Sequence, residues 1–394
     1  MNTLIINRVV PAIRMIVSRE KVLTIRFDER EEFLKVSNEK DLLSFPFVNK
    51  SAGILVIEEK TNPDTIIEEL GSKLTKWHES KPYHPDYILL KGNGVVAVSD
   101  KASELDLLFG AKVNIASVVN GRVQDKIVIV TGGAQGFGSG IAEMLFSQGA
   151  NVVIADLNEE VGTHMTNNLN AFNQSNRAFF IKTNVADAES VEAMIAATVQ
   201  QFGGLDILIS NAGILRAGGL DEMTSETFSL MTDVNYKAYF LCAKYASAIM
   251  KVQSRFRKDY FMDIIQINSK SGLKGSNRNF AYAGGKFGGI GLTQSFALEL
   301  IPNRIKVNSI CPGNFFEGPL WSDPEKGLFV QYLKAGKVPG AKKLDDVKAF
   351  YEAQVPAGRG CRVLDVVRAI YYVIEQEYET GQAIPVTGGQ NMLN

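Results

Sequence analysis

A glycine-rich turn between an apolar segment and a helix-forming segment constrains this chain more than any other feature. Residues 126–131 read Lys-Ile-Val-Ile-Val-Thr, a run typical of a strand buried on both faces of a parallel sheet. Gly132, Gly136 and Gly138 follow, and they allow a tight turn that brings the backbone close to a pyrophosphate at the next helix. The pattern predicts a dinucleotide-binding α/β fold. Its spacing is Thr-Gly-x-x-x-Gly-x-Gly, and a glycine trio alone is weak evidence.

An acidic residue stands where the ribose of such a dinucleotide would bind. A second apolar run, residues 151–155, ends at Asp156, which lies 18 residues beyond Gly138. An acid about 20 residues after the turn holds the adenosine ribose. Its carboxylate would repel the 2′-phosphate of NADP, so Asp156 favours NAD as the cofactor. The alternative is structural, because Asp-Leu-Asn-Glu also fits a helix N-cap.

A hydroxyl, a phenol and an ammonium group occur later at the spacing of a hydride-transfer site. Tyr282 lies 13 residues after Ser269 and four before Lys286, so the phenol and the ammonium share one helical face. A phenol has an ordinary pKa of about 10, and we expect Lys286 to lower the pKa of Tyr282 so that it can act as a base. Ser269 would stabilise charge on the substrate oxygen. Taken alone, such a Tyr–Lys pair is more often a packing pair, and a lone serine a turn residue.

Further motifs, in order along residues 124–394, resemble those of the short-chain dehydrogenase/reductase family. They are Asn211-Ala-Gly213 after an apolar run, Asn235 24 residues later, Ser269, Tyr282-x-x-x-Lys286, Pro312-Gly313 and the tail over residues 379–389. The resemblance implies a Rossmann-type doubly wound parallel sheet and an oxidoreductase that uses a nicotinamide dinucleotide.

The same resemblance assigns roles to individual residues. The expected catalytic set is Asn235, Ser269, Tyr282 and Lys286. Asn235 would hold a water that links Lys286 to a proton relay, and Lys286 would also contact the nicotinamide ribose. The expected cofactor-binding residues are Gly132, Gln135, Gly136, Phe137, Gly138, Asp156, Leu157, Asn184, Val185, Asn211, Ala212, Gly213, Tyr282, Lys286, Pro312 and Gly313. Asn184 stands where the family usually has an aspartate beside the adenine, and an amide can still donate and accept there.

A narrower resemblance points to a substrate class. Residues 266–276, 282–295 and 386–390 are similar to those of polyol-phosphate dehydrogenases within the family, which implies NAD-linked interconversion of a hexitol phosphate and a ketose phosphate. A substrate phosphate needs nearby cations, and the candidates are Lys270, Lys274, Arg278 and Arg216. Each alone is more often a solvent-facing group. Two alternatives stay open: a dehydrogenase for another sugar alcohol, deoxy sugar or secondary alcohol, and a non-enzymatic NAD-binding scaffold or sensor.

Composition sets the expected surroundings of the protein. A formal net charge of −1 over 394 residues implies neither a nucleic-acid nor a membrane partner. The three cysteines, Cys242, Cys311 and Cys361, are too widely spaced for a disulfide framework or a metal motif. We expect no leader peptide or membrane helix, and a reducing, cytoplasmic location. The family resemblance implies a homodimer or homotetramer, with helices near residues 240 and 290 at subunit faces.

The first 122 residues exceed what such an enzyme requires, because about 250 residues suffice for the family's single domain. We therefore expect two domains, 1–122 and 123–394, joined near residues 120–125. The sequence predicts strands over residues 22–27, 53–58, 86–91 and 95–99, and helices over 63–77 and 103–119.

The stretch from His84 to Val98 is similar to the C-terminal part of class II aldolase domains, of which only about half would be present. That chemistry uses a divalent metal held by several histidines, whereas the chain has only His78, His84 and His164. We expect no metal site and a non-catalytic α/β segment used for folding or assembly.

Overall fold

The computed structural model describes residues 2–58, 61–110, 121–173, 176–334, 336 and 338–392. Within them, the strands form one four-stranded and one seven-stranded sheet. The N-terminal elements are α1 (Asn2–Leu4), a π-helical turn (Ile5–Val9), α2 (Val10–Val17), β1 (Thr24–Asp28), α3 (Glu31–Leu34), α4 (Glu39–Leu43), β2 (Ile54–Ile57), α5 (Pro63–Ser80), β3 (Tyr87–Leu90), β4 (Gly94–Ser99) and α6 (Ala102–Leu108). The order of the smaller sheet is β1-β4-β3-β2, with β4 antiparallel to both of its neighbours and β2 parallel to β3.

The four strands and the helix from residue 63 that the sequence predicts are confirmed in this part of the chain. The predicted helix over 103–119 is too long, because α6 ends at Leu108 and Gly110 follows with a φ of 83°. Residues 111–120 lie outside the described residues, and so does the start of the predicted join. Helices α2, α3 and α4 were not predicted.

The larger sheet is parallel throughout its described pairings and carries helices on both faces. Its elements are β5 (Ile127–Thr131), α7 (Gly136–Ser147), β6 (Asn151–Asp156), α8 (Glu159–Asn173), β7 (Ala178–Lys182), α9 (Ala188–Phe202), β8 (Ile207–Ser210), α10 (Ser225–Thr232), α11 (Ala238–Phe256), β9 (Met262–Ile267), α12 (Phe280–Leu300), β10 (Ile305–Pro312), α13 (Pro319–Ser322), α14 (Leu328–Lys334), α15 (Leu344–Ala353), α16 (Val363–Glu375) and β11 (Ala383–Val386). The strand order is β11-β10-β9-β8-β5-β6-β7. This is the predicted Rossmann-type doubly wound sheet.

The strand order reverses between β5 and β8. The chain runs outward from β5 to β7, then crosses back to β8 and continues to β11 on the other side. In open α/β sheets, ligands bind outside the carboxyl ends of the strands at such a switch point. The fold therefore places a site where β5, β8, β9 and β10 end.

The N-terminal residues pack into the core of the larger sheet. Ile13 of α2 and Ile25 of β1 belong to the same buried cluster as Val199 and Phe202 of α9 and Leu208 of β8. Apolar burial on this scale is the dominant favourable term in folding. The two sheets thus share a core, and the division into domains at residue 122 stays a prediction.

A buried ion pair fastens α2 to the larger sheet. The Arg14 guanidinium donates to both carboxylate oxygens of Asp206, each at 2.8 Å, and both side chains are fully buried. Asp206 also accepts from the backbone N–H of Ile127 at 2.8 Å. Although burial opposes it, the neighbouring Arg14 holds the pKa of Asp206 below its ordinary value.

Across the described ranges, no helix is long and apolar enough to cross a lipid bilayer.

Candidate active site

The glycine-rich turn lies at the carboxyl end of β5 and leads directly into α7. Gly132 and Gly136 have φ values of 61° and 64°, a left-handed conformation that favours glycine. A Cβ atom on Gly138 would lie 2.0 Å from the carbonyl oxygen of Gly132, so no larger residue fits there. The backbone is therefore shaped as a pyrophosphate cradle at a helix N-terminus.

Asn211 and Ala212, which follow β8, hold this turn in place. Asn211 donates from Nδ2 to the carbonyl oxygens of Thr131 and Gly132 at 3.0 and 3.1 Å. The Thr131 hydroxyl accepts from the backbone N–H groups of Asn211 and Ala212 at 3.0 and 3.1 Å. The Asn-Ala-Gly motif thus supports the cradle through hydrogen bonds between the ends of two adjacent strands.

Asp156 ends β6 beside the same turn. Its Oδ2 accepts from the backbone N–H of Ala134 and its Oδ1 from that of Asn158, both at 3.0 Å. Asn158 itself occupies the capping position of the next helix, since its Oδ1 accepts from the Val161 N–H at 3.2 Å. The helix-cap interpretation of Asp156 is therefore wrong, and its carboxylate lies against the cradle.

The residues predicted to surround the adenine lie near the ends of β6 and β7. Leu157 and Asn184 are exposed, whereas Val185 is buried. Asn184 accepts through Oδ1 from the Ala186 N–H at 3.1 Å, which orients its Nδ2 amide as a donor.

The other predicted cofactor residues lie on either side of the cradle. Gln135 is the exposed residue just before α7, and the Phe137 ring stacks on Phe315 with centroids 4.3 Å apart. Pro312 ends β10, and the Gly313 N–H donates to the Val386 carbonyl oxygen at 2.9 Å. The Phe137–Phe315 stack joins the turn after β5 to the segment that follows β10.

Ser269 lies just after β9, and Tyr282 and Lys286 lie in the first two turns of α12. The Lys286 ammonium is 5.6 Å from the centroid of the Tyr282 ring and donates to the Ile267 carbonyl oxygen at 2.9 Å. The Ser269 hydroxyl accepts from the Ser271 N–H at 3.1 Å. The fold brings the three predicted groups together at the carboxyl edge of the sheet.

Asn235 lies in a π-helical turn (Asp233–Lys237) between α10 and α11, a local feature frequent at functional sites. It is buried, accepts from the Ile214 N–H at 3.0 Å and donates to the Ile214 carbonyl oxygen at 2.8 Å. A Cβ atom on Gly213 would lie 2.9 Å from Asn235 Oδ1 and 3.9 Å from Lys286 Nζ. The Asn235 carboxamide and the Lys286 ammonium therefore both lie close to Gly213.

Burial dominates the proton affinities of the site. It raises the pKa of Tyr282, with the Ser269 hydroxyl opposing the rise as a hydrogen-bond partner. It also lowers the pKa of Lys286 to about 8, against the opposing effect of the Cys311 thiol. The pKa of Tyr282 thus lies above its ordinary value, contrary to the expectation that Lys286 lowers it, because burial is the largest influence on the phenol.

The four basic candidates for a phosphate differ in their surroundings. Arg278 forms an ion pair with Glu222, so its charge is already matched. Lys274 and Arg216 are exposed. Lys270, next to Ser269, is half-buried; burial lowers its pKa, and within the described part of the chain no hydrogen bond or ion pair of its ammonium is found.

Two features of the site escaped the sequence interpretation. The Asn268 side chain contacts both Ser269 and Lys286, whereas the sequence motif around it points only to the serine. The aromatic cluster around Phe316, Trp321 and Phe329 follows β10, and its irregular spacing gave no signal of a packed unit.

Comparisons with known proteins identify the family of this chain. The sequence profile described as short chain dehydrogenase matches residues 126–321. The chain is 34% identical to sorbitol-6-phosphate 2-dehydrogenase of Escherichia coli K12 over 275 residues, which covers 68% of this chain and 100% of that protein. This protein therefore belongs to the short-chain dehydrogenase family.

Relatives with other activities are also similar to the chain. Galactitol 2-dehydrogenase of Agrobacterium fabrum is 30% identical over 69% of this chain and 99% of that protein. The crystal structure of sorbitol-6-phosphate 2-dehydrogenase from Erwinia amylovora has a TM-score of 0.62 and 35% identity, and it covers 68% of this chain and 100% of that one. The family is shared, and the substrates named for these relatives differ.

Proposed function

We propose that this protein is an NAD-dependent dehydrogenase that oxidises a polyol phosphate, sorbitol 6-phosphate, to the ketose fructose 6-phosphate. One observation carries the proposal. The side chains of Ser269, Tyr282, Lys286 and Asn235 lie close together beside the glycine-rich turn, where the strand order of the larger sheet reverses. The narrower substrate follows from similarity to sorbitol-6-phosphate 2-dehydrogenases.

Each residue has a distinct task in this mechanism. The bound nicotinamide would supply the acceptor for the hydride that leaves the carbinol carbon. Tyr282 takes the hydroxyl proton, and Ser269 donates a hydrogen bond to the substrate oxygen. Lys286 is mainly cationic at neutral pH, because its pKa is about 8, and it would contact the nicotinamide ribose. Asn235 holds the backbone of Ile214 at the edge of the site.

The raised pKa of Tyr282 affects which direction of the reaction, ketone reduction or alcohol oxidation, is favoured at neutral pH. At neutral pH the phenol is protonated, so it is ready to donate a proton to a ketone oxygen. In the oxidation direction the rate should increase with pH as the phenolate becomes populated.

Asp156 supports NAD rather than NADP. Its carboxylate is fixed by the Ala134 and Asn158 N–H groups, where it can accept from the ribose hydroxyls and would repel a 2′-phosphate. We expect Asp156→Ser to shift the ratio of kcat/KM for NAD over NADP toward NADP by about tenfold or more, roughly 1.4 kcal/mol. Initial rates with each cofactor measure it, with Asp187→Ser as the control because Asp187 caps α9 instead. An unchanged ratio would contradict the assignment.

Lys270 is the best placed of the four basic residues to receive a substrate phosphate. It is adjacent to Ser269 and half-buried, and the loss of hydration that lowers its pKa would be offset by a dianion. Arg278 instead joins the loop before α12 to the loop before α10 through its ion pair with Glu222.

A Lys270→Met variant should raise KM for sorbitol 6-phosphate by about tenfold or more, the cost of one charge-assisted hydrogen bond. KM for unphosphorylated sorbitol should change little. Lys274→Met, an exposed lysine in the same loop, is the matched control. Equal effects of Lys270→Met on both substrates would remove Lys270 from the phosphate site.

Other parts of the proposal concern residues outside the site. We propose that residues 1–122 form a non-catalytic domain, a remnant of an aldolase-like segment, because a chemistry that uses several histidines would find only His78 and His84 there. Exposed Phe240, Phe287 and Leu298 on α11 and α12 support a homodimer or homotetramer through these helices.

The free thiols fit a reducing, cytoplasmic location.

The test of the proposed function is an NADH-formation screen across hexitol phosphates, free hexitols and small secondary alcohols. The proposal predicts the highest kcat/KM with sorbitol 6-phosphate. Preference for an unphosphorylated alcohol would favour the second candidate, a dehydrogenase for another sugar or secondary alcohol, which similarity to galactitol 2-dehydrogenase supports. No turnover of any alcohol would favour an NAD-binding sensor.

A further inference from the structure

The side-chain carboxamide of Asn268 connects the segment that carries Ser269 to the helix that carries Tyr282 and Lys286. Asn268 precedes Ser269 at the end of β9, and its Oδ1 accepts from the Ser269 N–H at 2.8 Å. Its Nδ2 donates to the carbonyl oxygen of Lys286 on α12 at 2.9 Å, and to Gln266 Oε1 at 2.8 Å. Both donor hydrogens and the acceptor are therefore used, and the side chain is buried.

Gln266, which accepts from Asn268, is in turn held by a chain of buried hydroxyl groups. Gln266 Oε1 also accepts from the Ser309 hydroxyl of β10 at 3.0 Å. Ser309 and Thr293 of α12 lie 2.7 Å apart, and Tyr239 of α11 lies 3.1 Å from Thr293. This network links β9, β10, α11 and α12 beneath the site, and its hydrogen bonds favour one rigid arrangement.

The space around Asn268 is also closely matched to its shape. A Cβ atom on Gly272 would lie 2.2 Å from Asn268 Oδ1 and 3.0 Å from the carbonyl oxygen of Lys286. The 3₁₀ turn after Ser269 can therefore close over the carboxamide only with glycine at this position.

We propose that Asn268 is a positioning residue, whose carboxamide fixes the backbone of Ser269 against that of Lys286 and so sets the distance between the serine hydroxyl and the Tyr282 phenol. The inference rests on the proposed dehydrogenase function. It goes beyond that function because Asn268 touches neither substrate nor cofactor in the assigned mechanism and acts through Ser269 and α12.

The consequence for chemistry follows from the Ser269–Tyr282 pair. The Ser269 hydroxyl counters the effect of burial on the pKa of Tyr282, and the same hydroxyl is assigned to the substrate oxygen. If Ser269 moves away from α12, the phenol loses this partner and becomes harder to ionise. Misplacement of reacting groups by about 1 Å can cost on the order of a hundredfold in rate.

A purely structural asparagine would behave differently, and the chain offers a matched example. Asn308 on β10 is equally buried, donates to the Glu379 carbonyl oxygen at 2.9 Å and accepts from the Gln382 N–H at 3.0 Å. It therefore also bridges a strand to another segment, but it contacts neither Ser269 nor α12 in these bonds. Asn308→Ala is the control for a lost buried carboxamide.

The experiment compares Asn268→Ala, Asn268→Ser and Asn308→Ala in the full chain, with the best alcohol found in the substrate screen. Rates are normalised to the concentration of NADH-binding sites, measured by fluorescence titration, so that unfolded protein does not count. Turnover of that alcohol by the wild-type protein tests the proposed function. The ratio of each variant's kcat to that of the wild type tests the positioning role of Asn268.

For both Asn268 variants we expect kcat to fall about tenfold or more, with the dissociation constant of NADH within about twofold of wild type. The pH at which the oxidation rate reaches half its maximum should rise by about half a unit or more. Asn308→Ala should lose stability with an unchanged pH profile. Wild-type kcat and pH profile in the Asn268 variants, or equal losses in the Asn308 control, would overturn the proposal.

Discussion

A Tyr282→Phe variant is expected to lose about 10²–10⁴-fold in kcat while it still binds NADH, because the only atom removed is the oxygen that exchanges the substrate proton. The ring remains packed at the start of α12, close to Lys286. The loss should therefore be one of chemistry and leave the fold intact. Initial rates of NADH formation and a fluorescence titration with NADH measure the two quantities.

The control for this variant is Tyr371→Phe. Tyr371 is buried, and its hydroxyl donates to the Met144 carbonyl oxygen at 3.3 Å on the opposite side of the sheet. It should keep near-wild-type turnover. Turnover by Tyr282→Phe at more than about a tenth of the wild-type rate would contradict a role for the phenol in proton transfer.

Arg14→Met is expected to destabilise the protein by about 3–5 kcal/mol, because it leaves the Asp206 carboxylate buried without its partner charge. Both groups of this pair are fully buried, and Asp206 lies 192 residues further along the chain. Denaturant unfolding followed through Trp77 and Trp321, one near each sheet, should report a lower midpoint from both tryptophans.

The chain contains a matched control for the same substitution. Arg8, in the same N-terminal region, pairs with Asp64 at the same 2.8 Å distance, but these side chains are 39% and 64% exposed. Arg8→Met should cost about 0–1 kcal/mol, as exposed ion pairs usually do. Asp206→Asn in the Arg14→Met background should recover part of the loss, since it removes the unpaired charge. Equal costs at Arg8 and Arg14 would contradict the account of a shared core.

The larger sheet could be predicted from the sequence because its signals are local. The β-branched run of β5, the glycines after it and the strand that ends at Asp156 each lie within a few residues of one another. The positive φ values of Gly132 and Gly136 are the conformation that only glycine adopts readily. The same local signals predicted strands β3 and β4 in the smaller sheet.

The features that escaped prediction depend on distant parts of the chain. Arg14 looks like a surface residue until α2 is placed against Asp206, and Arg278 looks free until the fold brings it to Glu222. The pKa of Tyr282 depends on burial, which the Tyr-x-x-x-Lys spacing does not encode. Asn268 acquires its partners only when α12 packs beside β9.

The central claim is that hydride leaves a carbinol carbon of a polyol phosphate for NAD at the site formed by Ser269, Tyr282 and Lys286. The most direct measurement uses sorbitol 6-phosphate carrying deuterium at carbon 2, followed by mass spectrometry of the NADH formed. We predict one deuterium in each NADH and a fructose 6-phosphate product without the label. NADH that forms without deuterium, or no NADH at all, would contradict the proposed reaction.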